Sequence, residues 1–243
     1  MINDKSIAVY ISAAGRGRRM KDLTEDCPKP LLLVNGVPML SYLCNYISKL
    51  SVENVLITYS YLANKWTSFI QSYPQFMFIK ETVPETLVNS LVINSQYINE
   101  DVIVVMSSDM FFDFHLIEGV IRKHIETVAD LSVVINYSAS HHGKKWEYII
   151  EHNKLIDIRV SKDATNMERY LFVINRNVLN KYIEHLALNS SANTEKYGSG
   201  WTYLIKSILD MKFFNVFGYV YDHELVNINN PKQLIEAEAI LRK

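Results

Sequence analysis

Short β-branched runs alternating with longer amphipathic stretches constrain this chain more than any other feature. Residues 7–12 form a continuous apolar run, as a strand buried on both faces should. Similar runs recur at 55–59, 76–79, 101–107 and 130–137. Between them lie helical patterns: one opening at Pro38 and running to about Leu50, then 62–72, 85–98 and 114–127, the last with Asp113 as its cap. Strands alternating with helices at this pitch make βαβ units and a mostly parallel sheet. After Tyr137 the texture changes. A hairpin at 148–151 and 155–160 turns at His152-Asn153, and a strand at 170–174 leads into a helix at 177–188. A polar loop at 189–200 follows, then a helix at 201–211, a short strand at 226–228 and a helix opening at Pro231 and running to Arg242. The expected fold is α/β: a Rossmann-like mixed, mostly parallel sheet flanked by helices, with a small β extension in the second half. No linker cuts the chain, so residues 1–243 read as one domain.

Composition narrows the function. The 25 Lys+Arg and 26 Asp+Glu give a net charge of −1, and broad binding to nucleic acid or a membrane surface would need a basic excess. No run approaches the length of apolar residues that crosses a bilayer. The first residues are too polar for a signal peptide, and two cysteines, Cys27 and Cys44, suit reduced thiols in the cytoplasm. A homo-oligomer is compatible with all of this.

The first strand runs directly into Ala13-Ala14-Gly15-Arg16-Gly17-Arg18-Arg19-Met20. Small residues at 13–15 and Gly17 let a ligand approach the backbone, whose successive N–H groups suit phosphate. Guanidinium forks at Arg16, Arg18 and Arg19 match phosphate oxygens. Pro28-Lys29-Pro30 fixes the backbone around one lysine and aims its ammonium back at this loop. The dinucleotide fingerprint fails because its third glycine is Met20, and a Walker loop lacks its Gly-Lys-Ser/Thr. His141-His142-Gly143-Lys144-Lys145 reads as an exposed turn, with no spaced carboxylates or cysteines for zinc.

From Ile11 to Leu40 the chain resembles the sugar-1-phosphate nucleotidyltransferases, the NDP-sugar pyrophosphorylases. The glycine loop ends in Arg19-Met20, Pro28-Lys29-Pro30-Leu31 follows, and Gly36-Val37-Pro38-Met39-Leu40 closes the signature. The resemblance implies residues 1–137 as a nucleotide-binding half and 138–243 as an acceptor-binding half. It implies Ala13, Ala14, Gly15, Arg16, Gly17 and Arg18 on the nucleotide, with Arg19 and Lys29 catalytic. Thr86 and Asn89 fall in the family's base-contacting stretch, where Thr86 replaces a common glycine and Val88 a common alanine. Asp109 stands where the family places a metal-binding aspartate, at the carboxyl end of a parallel strand where open α/β sheets bind ligands. Asn227 stands at the second metal position, where an amide oxygen can still ligate Mg²⁺. Lys162 resembles the family's phosphate-contacting lysine, and Glu195 its acceptor-binding glutamate.

The implied partners are a nucleoside triphosphate, a phosphorylated small molecule and Mg²⁺. The implied reaction joins the triphosphate to a sugar 1-phosphate and releases pyrophosphate, giving an NDP-sugar for polysaccharide or glycan synthesis. Two alternatives stay open. One is a cytidylyltransferase acting on phosphocholine, a phosphonate or another phospho-alcohol. The other is a nucleotide-binding regulatory subunit without turnover, suggested by the altered positions Thr86, Ser108, Ser161 and Asn227.

Overall fold

The structure is a computed structural model that describes residues 4–82, 86–137, 145–161, 166–188 and 200–240. Among the described residues the strands are β1 (Ile7–Ser12), β2 (Leu33–Val34), β3 (Val37–Pro38), β4 (Asn54–Tyr59), β5 (Met77–Lys80), β6 (Val102–Ser107), β7 (Met110–Phe111), β8 (Leu131–Tyr137), β9 (Lys145–Glu151), β10 (Lys154–Ser161), β11 (Asn166–Asn175), β12 (Val216–Tyr221) and β13 (Val226–Asn227). The α-helices are α1 (Met39–Ile47), α2 (Thr67–Ser72), α3 (Leu87–Asn94), α4 (His115–Glu126), α5 (Arg176–Leu188), α6 (Trp201–Asp210) and α7 (Pro231–Ile240).

Nine strands form one sheet in the order β5-β4-β1-β6-β11-β8-β12-β10-β9. Strands β10 and β11 run against the others, so the sheet is mixed but mostly parallel, as expected. The hairpin predicted around His152-Asn153 is β9–β10, and it extends the sheet at the β12 edge. Strand β12 has no counterpart in the sequence expectation. Gly218 interrupts it, yet a Cβ there would sit 3.1 Å from the Ile150 side chain, so close packing against β9 favours glycine.

Alternate residues of β1 and β6 feed two cores, which is why their sequences are apolar throughout. Ile7, Val9, Ile11, Val104 and Met106 face one cluster, covered by α1, α2 and α4 through Leu43, Phe69 and Val120. Ala8, Tyr10, Ile103 and Val105 face the other, covered by α3, α5 and α6 through Leu91, Leu179 and Leu204. Asp113 caps α4, its Oδ1 accepting the His115 N–H at 3.0 Å. At the other end of α4, buried His124 accepts from Ser132 Oγ through Nδ1 (2.9 Å) and donates from Nε2 to Asn175 Oδ1 (3.0 Å). Burial holds its pKa below the ordinary histidine value.

A third, smaller cluster positions the ends of the chain. Met20, Leu32, Val34, Met39, Phe111, Ile228 and Ala237 pack together. They join the segment after β1, the β2–β3 hairpin, the β7–β13 ladder and α7 into one platform. Asn35-Gly36 turns the hairpin with both residues at positive φ (48° and 78°), the geometry that an Asn-Gly pair favours.

Candidate active site

Strands β1 and β6 are parallel neighbours, with Ser12 opposite Ser107. Their carboxyl ends open into a cleft of about 330 Å³. Its floor holds Ser12, Ala13, Ser107 and Ser108, and the Ser108 N–H donates to the Ser12 carbonyl at 3.1 Å.

The segment after β1 builds one wall. Gly17 adopts φ 68°, and a 3₁₀ turn from Arg18 follows. Met20, 1% exposed, anchors that turn in the third cluster, while Arg18 and Arg19 stay exposed and line the cleft. Lys29 lies beneath them on a second 3₁₀ turn, its backbone held between Pro28 and Pro30. Any side chain at position 17 would collide with it: a Cβ on Gly17 would sit 2.9 Å from Lys29 Cβ and 3.2 Å from Cδ. A Cβ on Gly15 would meet nothing within 4 Å, so that stretch of backbone faces open space. The Pro-Lys-Pro segment therefore turns its ammonium into the cleft, as its sequence implies.

The opposite wall joins two distant segments. Asp109 follows β6, and the next residues form β7, which pairs antiparallel with β13 so that Met110 faces Asn227. The Asp109 carbonyl accepts the Ile228 N–H at 2.9 Å. This short ladder places the Asp109 and Asn227 side chains in the same cleft. The turn after β13 is braced by α7. Asn230 Oδ1 accepts the Gln233 N–H (3.0 Å), and Gln233 Oε1 accepts the Asn229 N–H (2.8 Å), a variant of the capping box.

The walls meet through polar contacts. Lys29 Nζ lies 2.6 Å from Asp109 Oδ2, with both side chains largely buried. Asn229 Oδ1 accepts from Arg19 Nη2 at 2.6 Å and from Lys29 Nζ at 3.4 Å. Among the described residues, the cations Arg18, Arg19 and Lys29 thus share the cleft with one carboxylate, a balance that suits a polyphosphate. Asn227 Oδ1 is buried without a hydrogen-bond partner among the described residues. A buried acceptor left unpaired costs about 1–3 kcal/mol unless something else supplies the bond. Beside a carboxylate, that oxygen fits a hard cation such as Mg²⁺, which takes one or two protein oxygens and completes its shell with water and substrate phosphate. Among the described residues no cluster of three or more His, Cys, Asp or Glu forms a metal cage.

The remaining expected residues lie as follows. Arg16 stacks over the Tyr61 ring, 5.3 Å from its centroid, and does not line the cleft. Ala14 is buried and does not line it either. Thr86 Oγ1 accepts the Asn89 N–H at 3.2 Å, so these two residues start α3, and the neighbouring Leu87 lines the cleft. Tyr10, Ser90, Glu81 and Asn94 form a buried hydrogen-bonded chain that ties α3 to β1 and to the end of β5. Burial raises the Tyr10 hydroxyl pKa and keeps it protonated. Lys162, Glu195 and the turn at 141–144 lie outside the described residues. Sequence reasoning missed Asn229, which touches both catalytic candidates. The signal was its place two residues after Asn227, just ahead of the Asn-Pro start of α7.

A family model described as nucleotidyl transferase matches residues 9–155. A bifunctional protein GlmU from Methanococcus aeolicus is 30% identical over 128 residues, covering 53% of this chain and 30% of that protein. A UTP–glucose-1-phosphate uridylyltransferase, AglF, from Haloferax volcanii is 27% identical over 131 residues, covering 51% of this chain and 52% of that one. The chain thus spans about a third to a half of these relatives' lengths. The solved structure of CTP:phosphocholine cytidylyltransferase (LicC) from Streptococcus pneumoniae superposes with a TM-score of 0.79 at 17% identity, over 97% of this chain and 99% of that one.

Proposed function

The chain belongs to the nucleotidyl transferase family, and from that premise we propose that it joins a nucleoside triphosphate to a phosphorylated small molecule and releases pyrophosphate. The observation that carries this reading is the meeting of Arg19, Lys29, Asp109 and Asn227 in one cleft at the carboxyl ends of β1 and β6. A phosphate oxygen of the acceptor attacks the α-phosphorus, the bond to the bridging oxygen breaks, and pyrophosphate leaves in line. Charge repulsion and orientation dominate such a barrier, so the protein's contribution is positioning and electrostatic stabilisation.

Each wall takes a part. Backbone from Ala13 to Gly17 and the Arg18 guanidinium hold the triphosphate. Arg19 stabilises charge on the departing β- and γ-phosphates, and Lys29 meets the charge that grows at the α-phosphate. Asp109 and Asn227 are the residues that would hold Mg²⁺, which when bound supplies Lewis-acid polarisation of the phosphoryl oxygens. The half of the chain from residue 138 onward takes the acceptor.

The signature between Ile11 and Leu40 puts a sugar 1-phosphate first among acceptors, with the NDP-sugar serving polysaccharide synthesis, and the glucose-1-phosphate uridylyltransferase AglF agrees with it. The second reading, a phosphocholine or phosphonate acceptor, keeps this same fold, which LicC, a phosphocholine cytidylyltransferase, also has. Pyrophosphate release decides between them. The purified protein with Mg²⁺ is assayed with each of the four ribonucleoside triphosphates and dTTP against hexose and hexosamine 1-phosphates, phosphocholine and 2-aminoethylphosphonate. Release with one sugar 1-phosphate and none with the others supports the first acceptor. Release with phosphocholine or the phosphonate replaces it. Tight triphosphate binding with no release from any pair would leave a binding subunit.

A further inference from the structure

We propose that Lys29 is a placeholder on Asp109: without nucleotide, its ammonium occupies the carboxylate that would receive the divalent ion, so ion and nucleotide enter together. The inference rests on the nucleotidyl-transfer reading of the cleft and adds to it a rule for the order in which the site fills.

The geometry gives Lys29 a fixed stem and a movable tip. Its Cβ and Cδ lie against Gly17, close enough that a Cβ at position 17 would be 2.9 Å and 3.2 Å from them. Nζ sits 2.6 Å from Asp109 Oδ2 and 3.4 Å from Asn229 Oδ1, so two acceptors lie within its reach. The two oxygens suited to a divalent ion are therefore in opposite states. Asp109 is already engaged by a cation, while Asn227 Oδ1 is buried and has no hydrogen-bond partner among the described residues.

An ammonium and a divalent ion on one carboxylate would stand only a few ångströms apart in a partly buried site, where like charges repel strongly. Free divalent ion must therefore displace Lys29 before it binds fully. A triphosphate removes that obstacle, because its oxygens offer the ammonium charge-assisted hydrogen bonds in place of the one it gives up. The ion then finds Asp109 free and Asn227 waiting. Nucleotide and ion each raise the affinity for the other, by the same factor in both directions.

The experiment titrates Mn²⁺ into nucleotide-free protein and follows the spin-resonance signal of the free ion. Wild type and Lys29→Arg, which keep the cation, should bind weakly. Lys29→Met and Lys29→Gln should bind at least about tenfold more tightly, since a unit charge beside the seat has gone. Adding Asp109→Asn to Lys29→Met should abolish the gain. The same affinity in wild type and all three Lys29 variants, with uptake alongside nucleotide still dependent on Asp109, would overturn the placeholder role and leave the nucleotidyl-transfer reading intact. Uptake alongside nucleotide that is indifferent to Asp109→Asn would overturn both. Should the neutral variants fail to fold, wild type still decides. Mn²⁺ affinity unchanged by a non-hydrolysable triphosphate, after correction for ion held by the nucleotide in solution, would sink the proposal.

Discussion

One wall of the cleft is local in sequence and the other is not. The cationic wall comes from residues 15–30, a continuous stretch whose turns are set by Gly17 and by Pro28 and Pro30. The oxygen wall takes Asp109 from the end of β6 and Asn227 from β13, and depends on the β7–β13 ladder to bring them together. Local chain chemistry sets the turns of the first, which Met20 then seats on the third cluster. The second needs the finished fold, including the platform of Phe111, Ile228 and Ala237. The two walls thus differ in how far apart their residues lie in the chain, yet both rest on the same platform, through Met20 on one side and Phe111 and Ile228 on the other.

The largest expected effect comes from removing the reactive group of either wall. Lys29→Ala and Asp109→Ala should each lower kcat by about 10²–10³-fold, the range for loss of one transition-state charge partner. Unfolding monitored by circular dichroism should change far less. Wild-type turnover in either variant would detach that wall from the chemistry. A smaller effect should separate the two loop glycines. Gly17→Ala meets both a left-handed backbone and the Lys29 stem. It should lose about 1–2 kcal/mol of stability from the backbone alone, together with activity as Lys29 is pushed aside. Gly15→Ala meets open protein space, so it should keep its stability and weaken nucleotide binding instead. Equal melting temperatures for the two variants would refute the claim that Gly17 shapes the cationic wall.

The smallest effect lies away from both walls, at His124. Its pKa in the folded protein is lowered, chiefly by burial, so the unfolded chain takes up the proton first as pH falls. Stability should be complete above the unfolded value of about 6.5 and decline as pH drops below it toward the folded value. His124→Gln should flatten that decline between pH 7 and 5 in thermal melts. An unchanged slope would remove His124 as its source.

The contrast between the walls also explains what the sequence made legible. The alternation of strand and helix was readable because buried parallel strands must be apolar on both faces, and β1, β4, β6 and β8 lie where their runs indicate. The cationic wall was readable for the same local reason. Strand β12 was not, because Gly218 lowers strand propensity and its value lies in a contact with Ile150 from another strand. The β2–β3 hairpin did carry a signal, Asn35-Gly36, within a stretch that also carries the Gly36-to-Leu40 motif. Asn229 carried only its place beside Asn227 as a signal, for a different reason. Its importance is a pair of hydrogen bonds to residues near the other end of the chain, and no local pattern encodes those. The same limit applies at α3, where Thr86 proves to be the helix cap and Leu87 the residue that reaches the cleft.

The β7–β13 ladder has a consequence for biosynthesis. A nascent chain releases its arginine-rich loop early, but Asp109 and Asn227 cannot share one cleft until Asn227 has left the ribosome and paired beside Met110. Until then the two walls of the cleft stay apart, and they meet only once β13 is laid beside β7.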